Sequence, residues 1–208
     1  MTTSAPATSF TDPAPAERLE QAAAALTEHG FDVEILDDAA AARTRVRDLI
    51  PEGAIVFTGA SETLRLSGIE EDINKSGRYD SLKSRPPIDP APQRNEIWRL
   101  ISTPDVIVGS VAAVTETGSL VAASASGGQL PGYAGAATRV IWVVGAQKVV
   151  TDLPAALRRL EEHCLPLESE RAARVYGQPS ALNRVLILNA EPEPGRGTVL
   201  LLREAIGF

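Results

Sequence analysis

The residues best suited to chemistry gather in one stretch, VGSVAAVTETGSLVAASASGGQLPGYAGAATRVIWVVG (108–145), and just beyond it. Glu116 lies in the turn Thr115-Glu116-Thr117-Gly118, between two apolar runs. A carboxylate held there by backbone groups and partly desolvated can act as nucleophile or base; facing water, it is an ordinary polar turn residue. Flexible small residues carry an entropic cost, which is offset where something must approach the backbone closely. Gly109 and Ser110 follow one strand-like run, Gly59 and Ser61 follow another, and Lys148 follows a third. Small residues admit a ligand, serine hydroxyls and helix-start N–H groups meet anionic oxygens, and Lys148 offers a mobile point charge to a phosphate or carboxylate. Each has a plainer reading: Ser61 as a helix N-cap and Lys148 as a solvated lysine. Gln129 can present donors and an acceptor to a ligand or satisfy loop backbone, and Tyr133 can close over a ligand or cover the core edge. Glu116, Gly59, Ser61, Gly109, Ser110, Gln129 and Lys148 are therefore the candidate site residues.

Other chemistries find less support. No GxGxxG follows the first strand-like run and no P-loop is present. His29 and His163 both fall near helix C-termini, with no serine–acid constellation and no second histidine at metal-ligand spacing. Cys164 is the single cysteine, which excludes an intrachain disulfide and an all-cysteine zinc or iron–sulfur site. No metal or cluster is expected on this chain, and its cofactor, if any, is not readable.

The elements that position these residues can be traced along the chain. Asp12 and Pro13 are suited to starting a helix, ERLEQAAAALTEHG, that stops at Gly30; residues 1–11, rich in Ser, Thr, Ala and Pro, are expected to fray. FDVEIL (31–36) alternates like an edge strand, Asp37 or Asp38 caps the helix AAAARTRVRDLI, and Pro51 ends it. AIVFTG (54–59) reads as a buried strand and ASETLRLSGIEEDI as one helix. After a proline-bearing stretch comes a helix at QRNEIWRLI (93–101), then strands at 105–109, 119–124, 139–145, 184–189 and 198–202, with two helices near 153–164 and 168–176. Seven strands interleaved with helices predict a single three-layer α/β domain over 12–208, with a mostly parallel sheet flanked by helices. In such sheets, sites form at the carboxyl ends of strands.

Composition agrees. The chain has 208 residues, 44% hydrophobic but only 4% aromatic, so Val, Ile, Leu and Ala must build the core, as suits a helix-covered parallel sheet. A net charge of -7 without a dense Lys/Arg run argues against nucleic acid or anionic lipid as a partner. The N-terminus lacks a signal-peptide pattern and no run reaches the length of a membrane span, so a cytoplasmic location is expected. The apolar end, TVLLLREAIGF, can dock on its own core or on a second copy, which leaves a homo-oligomer open.

GSVAAVTETGSLV (109–121), SASGGQLPGYAGAATRVIWVVGAQKVV (124–150), LPLESERA (165–172), EPEPGRGTVLLLREAIGF (191–208) and FTGASETLRLSGI (57–69) together resemble the LUD domain of the lactate utilization protein C family, in order along the chain. The resemblance implies a Rossmann-like sheet of the superfamily that includes ribose-5-phosphate isomerases, 5-formyltetrahydrofolate cyclo-ligases and CoA transferases. It also implies a place in bacterial oxidation of L-lactate to pyruvate, beside partners that carry iron–sulfur clusters; this chain would be the cluster-free component. Some relatives have TEDG where this chain has Thr115-Glu116-Thr117-Gly118, so a role needing two adjacent carboxylates does not carry over. The same turn more distantly resembles the Ser-Glu-Asn-Gly turn of CoA transferases, whose glutamate is the nucleophile. Three readings follow: a component that binds a small organic anion or a nucleotide-like cofactor and docks on redox proteins, an independent acyl/CoA-transferase-like or isomerase-like enzyme using Glu116, and a metabolite-binding module without catalysis.

Overall fold

Strand β7 (Arg139–Gly145, RVIWVVG) organises the core because both its faces are covered. Val140, Trp142 and Val144 point into one buried cluster, whereas Ile141 and Val143 point into another, the two-residue alternation of a strand. The structure, a computed structural model, describes residues 10–85 and 99–208. Around β7 lies a sheet in which every pairing is parallel, formed with β1 (Asp32–Leu36), β2 (Ile55–Thr58), β3 (Asp80–Ser81), β4 (Val106–Gly109) and β10 (Gly197–Leu202). Its order is β1-β10-β7-β4-β2-β3. The edge strand β1 is only partly buried, in keeping with its alternating sequence.

Helix α1 (Ala16–Glu28) covers one face through Leu19, Ala22 and Leu26, spaced to share one side of a helix. Helices α2 (Ala39–Leu49), α3 (Glu62–Leu66) and α4 (Ile69–Lys75) cover the other through Val46, Leu64, Ile69 and Ile73. Asp38 caps α2 by accepting from the Ala41 N–H, and Ser61 caps α3 by accepting from the Leu64 N–H. This helix–sheet–helix arrangement is the α/β domain the strand pattern predicts.

The structure departs from that pattern in definite ways. A second sheet, of order β8-β5-β6-β9, joins β5 (Ala113–Thr115), β6 (Leu120–Ser124), β8 (Val149–Val150) and β9 (Arg184–Leu188). β5 runs parallel to β8, while β6 is antiparallel to both β5 and β9. One face of this sheet joins the α1 core, and the other packs with α5 (Leu153–Arg159) in a third cluster. β3, β5 and β8 have only two or three residues, too short for a periodic signal, so the expected seven strands become ten among the described residues.

The helix expected over 60–73 breaks in two, with Gly68 in the left-handed region at φ 76° before α4. Asp12 does not cap α1; Pro15 holds that position, with no side-chain cap. The helices expected near 153–164 and 168–176 are continuous: α5 leads through a π-turn (Leu160–Cys164) into α6 (Leu165–Tyr176). Pro166 lacks the N–H an unbroken α-helical ladder would use, and the wider turn falls just before it. Of the segment expected to fray, Phe10 packs on the third cluster and Thr11 is also described, while residues 1–9 lie outside the described residues. The helix expected over 93–101 falls mostly outside them too; residues 99–102 are helical. Among the described residues, no helix is long and apolar enough to cross a membrane.

Candidate functional site

A cavity of about 430 Å³ opens where the carboxyl ends of the large sheet meet the second sheet and α6. Its size falls in the range of small-molecule sites, roughly 300–1,000 Å³. The loop after β2 brings Ser61, the loop after β4 brings Ser110, and the end of β6 leads through Ser124 and Ser126 to Gln129. Lys148 enters from the short 3₁₀ turn (Ala146–Lys148) between β7 and β8. The π-turn contributes Leu160 and Cys164.

Lys148 is 1% exposed. Its Nζ lies 2.9 Å from Thr63 Oγ1, 3.0 Å from Ser110 Oγ and 3.2 Å from the Val111 carbonyl. Among the described residues it makes no ion pair with a carboxylate; the charged neighbour that matters is another cation, Arg159. Burial, reinforced by Arg159, pushes the Lys148 ammonium down to about 7 from its ordinary 10.5. The lysine expected as a mobile point charge is thus pinned by three oxygens. Thr63, on α3, was not among the candidates, and nothing in its local sequence marks it.

Arg159 is fully buried behind the same wall. It donates to the Ala112 carbonyl, to Cys164 Sγ at 2.8 Å and to the Phe10 carbonyl at 3.4 Å, while its Nε has no partner among the described residues. Burial raises the Cys164 thiol, against the pull of Arg159 and Lys148, and lowers His163 with their help. Two buried cations that meet no carboxylate among the described residues make this part of the cavity electropositive, in a chain whose net charge is -7.

The remaining candidates fall into two groups. Gln129 lines the cavity and donates from Nε2 to the Ala123 carbonyl at 3.2 Å, so it serves the loop backbone while facing the space. Ser61 is both the α3 cap and a wall residue. The structure therefore gathers Ser61, Ser110, Gln129 and Lys148 around one space.

Gly59 and Gly109 do something other than admit a ligand. A Cβ on Gly109 would lie 1.7 Å from the Tyr133 hydroxyl, and one on Gly59 would lie 3.4 Å from it. The approach these glycines permit is made by Tyr133, which also donates to the Ser110 carbonyl and packs edge-on against Trp142. Tyr133 is held from behind: Arg196 donates to its carbonyl at 2.9 Å and pairs with buried Glu191 at 2.7 Å.

Glu116 is not brought to the cavity. The β5–β6 hairpin has its open end, at Ala112 and Ala123, on the cavity wall and its turn at the opposite end. About 13 Å of extended chain separates Ala112 from Glu116. There the Glu116 carboxylate is ion-paired with Arg18 of α1, and Gly118 packs against Ala25 and His29. That contact joins the hairpin to α1.

At the cavity mouth, Phe208 and Leu182 form an apolar rim beside the ion pair of Glu168 and Arg171 on α6. Gln147 holds the chain bearing Phe208 by donating to the Ile206 and Gly207 carbonyls at 2.9 Å and accepting from the Ile206 N–H. Among the described residues, no group of three or more His, Cys, Asp or Glu is placed to hold a metal ion.

Comparison with known proteins bears on the whole arrangement. No curated protein matches the chain. A solved structure described as a DUF162 family protein from Deinococcus radiodurans superposes with a TM-score of 0.55, covering 90% of this chain and 97% of the other at 12% identity. At that identity the likeness establishes the fold alone. The family model of the LUD domain matches residues 19–201, a span that takes in both sheets and nearly all of the cavity wall. On that match the chain belongs to the LUD domain family, which links it at family level to lactate utilization.

Proposed function

We propose that this chain is a cluster-free component of bacterial L-lactate utilization that takes a small organic anion into the cavity at the strand ends. The observation that carries the reading is Lys148, a buried amine facing that cavity with no carboxylate among the described residues to neutralise it. An entering carboxylate supplies the missing counter-charge and favours the protonated amine. Ser61 and Gln129 add hydrogen bonds from the wall. A three-carbon acid has six heavy atoms, and at the roughly 30 Å³ that liquid water takes per molecule it fills less than half of the cavity. The space thus admits a larger derivative of such an acid as well. Redox partners bearing iron–sulfur clusters would supply the electron transfer that this single-cysteine chain is not built for.

Calorimetric titration with L-lactate, pyruvate and longer carboxylates tests this. Binding should weaken by about 1.5–3 kcal/mol in Lys148→Met, as for loss of a charged hydrogen bond. Equal affinity in that variant, or no binding of any organic anion to the wild type, refutes it.

A further inference from the structure

The geometry points to Ser110 as an activated nucleophile, with Lys148 as its general base and Thr63 as the residue that positions the base, acting on ester or thioester carbonyls in the cavity. This rests on the reading of the cavity as the functional site and goes beyond it by assigning chemistry.

The argument is one of donors and acceptors. A neutral amine has two N–H donors and one lone pair. Thr63 Oγ1 spends its own proton on the Ile206 carbonyl at 3.3 Å, so towards Lys148 it can only accept. The Val111 carbonyl also can only accept. Those two oxygens take the two N–H bonds. The lone pair is left for the third neighbour, Ser110 Oγ, 3.0 Å away and the one partner of the three with a hydroxyl proton to give. The other acceptor within reach of that proton, the Val111 carbonyl, is 3.4 Å from Ser110 Oγ and already accepts from Lys148 at 3.2 Å, so the amine at 3.0 Å is the nearer partner. A nucleophile within reach of a base, with the base oriented by a third group, is the arrangement that activates hydroxyls, and a lysine can be that base. The lowered proton affinity of Lys148 supports the same reading, because at neutral pH a substantial share of the amine is free to accept.

The reaction balances without a co-reactant other than water. Ser110 Oγ bonds to the acyl carbon as its proton passes to Lys148 Nζ. The carbonyl carbon then releases its alkoxide or thiolate, which takes that proton and leaves as alcohol or thiol. Water, deprotonated by Lys148, attacks the Ser110 ester; the Oγ–carbon bond breaks, Oγ recovers a proton, and a carboxylate is released. That product is an organic anion beside a protonated Lys148, the ligand class proposed above.

The test is incubation of the full chain with p-nitrophenyl acetate, reading p-nitrophenolate release and intact mass, then locating the adduct by peptide mapping. A burst of at most one p-nitrophenolate per chain, with acetyl on Ser110 in rapidly quenched samples, is expected before hydrolysis turns the ester over, with an acylation rate that rises through about pH 7 and then levels. Ser110→Ala should lose the adduct. Lys148→Arg, which keeps the charge but cannot act as a base, should slow acylation at least a hundredfold, and Lys148→Met, which buries easily, should do the same. Thr63→Val should move the pH midpoint while leaving Ser110 as the acylated residue, a shift that a merely structural role would not give. Absence from folded wild type at pH 9 of both the Ser110 adduct and any p-nitrophenolate release that Ser110→Ala removes, or equal acylation in Lys148→Arg, overturns the proposal. If lactate or pyruvate binds without any acylation, the dyad fails and the anion reading stands. If acylation proceeds unslowed by saturating organic anions, the anion reading fails and the dyad stands.

Discussion

Replacing Lys148 by Met should abolish a pH dependence of stability that the wild type must show. In the unfolded chain this amine keeps its ordinary value of 10.5, whereas in the folded chain burial and Arg159 bring it to about 7. Between those values the unfolded state binds more protons, so folding becomes more favourable as pH rises. The limiting slope is about 1.4 kcal/mol per pH unit, and because the folded amine is half-deprotonated at pH 7, integration to pH 9 gives about 2 kcal/mol. Two neighbours titrate at the edges of this window: His163, held below its ordinary range, adds to the rise near pH 7, and Cys164, raised by burial, opposes it as the pH nears the ordinary range of a thiol. Urea unfolding of wild type and Lys148→Met at pH 7, 8 and 9 measures the effect as a difference in slope, in which groups remote from Lys148 cancel and the smaller changes at His163 and Cys164 are included. The variant also loses hydrogen bonds to Thr63, Ser110 and Val111, which shifts its stability at every pH; the slope, not the offset, is diagnostic. Parallel stability curves for the two proteins would show that the amine is not desolvated and would remove the electrostatic basis of the site.

Gly109→Ala should cost about 1–3 kcal/mol in thermal or urea unfolding, because its Cβ would sit 1.7 Å from the Tyr133 hydroxyl, while Gly59→Ala, with 3.4 Å available, should cost clearly less. A double-mutant cycle on Arg18→Ala and Glu116→Gln should give a coupling of about 0.5–1 kcal/mol, as for a partly exposed ion pair, and neither variant should change carboxylate affinity measured by calorimetry. Arg196→Met should destabilise by about 3–5 kcal/mol, since it strands the buried Glu191 carboxylate and frees the Tyr133 carbonyl; urea midpoints check it.

Much of the fold was legible because long strands buried on both faces write themselves as apolar runs: RVIWVVG is β7 residue for residue, and TVLLL falls within β10. The second sheet was legible only in β6 and β9, because β5 and β8 are too short to show a period and become strands only through pairing with each other and with β6. For the site, position after strand ends located Ser61, Ser110 and Lys148. The sequence also carries a sign of Lys148's burial, since the lysine stands between the apolar runs RVIWVVG and Val149-Val150. Glu116 was conspicuous in type but misleading in place, because which end of a short hairpin meets a cavity depends on tertiary packing. Arg159 sits in a helix whose neighbouring Arg158 is exposed, and only the packing of α5 on the second sheet turns one inward and leaves the other out.

That inward arginine bears on why the site can exist. A buried cation is tolerated when hydrogen bonds replace its water, and Arg159 meets two carbonyls and a thiol yet leaves Nε unpartnered among the described residues. Lys148 meets three oxygens and has the arginine's field against it. A hydrophobic pair of the same volume would pack here at lower cost, so a selection for stability alone would not retain both. What the two cations accomplish together is to hold an amine near neutrality at the end of a cavity, with a serine hydroxyl 3.0 Å from it. An anion that enters relieves the arginine's field on the amine; a neutral acyl group that enters meets a hydroxyl with a base beside it. Both outcomes draw on the same stored cost, which is why Lys148, Ser110 and Thr63 respond as a unit in the experiments above.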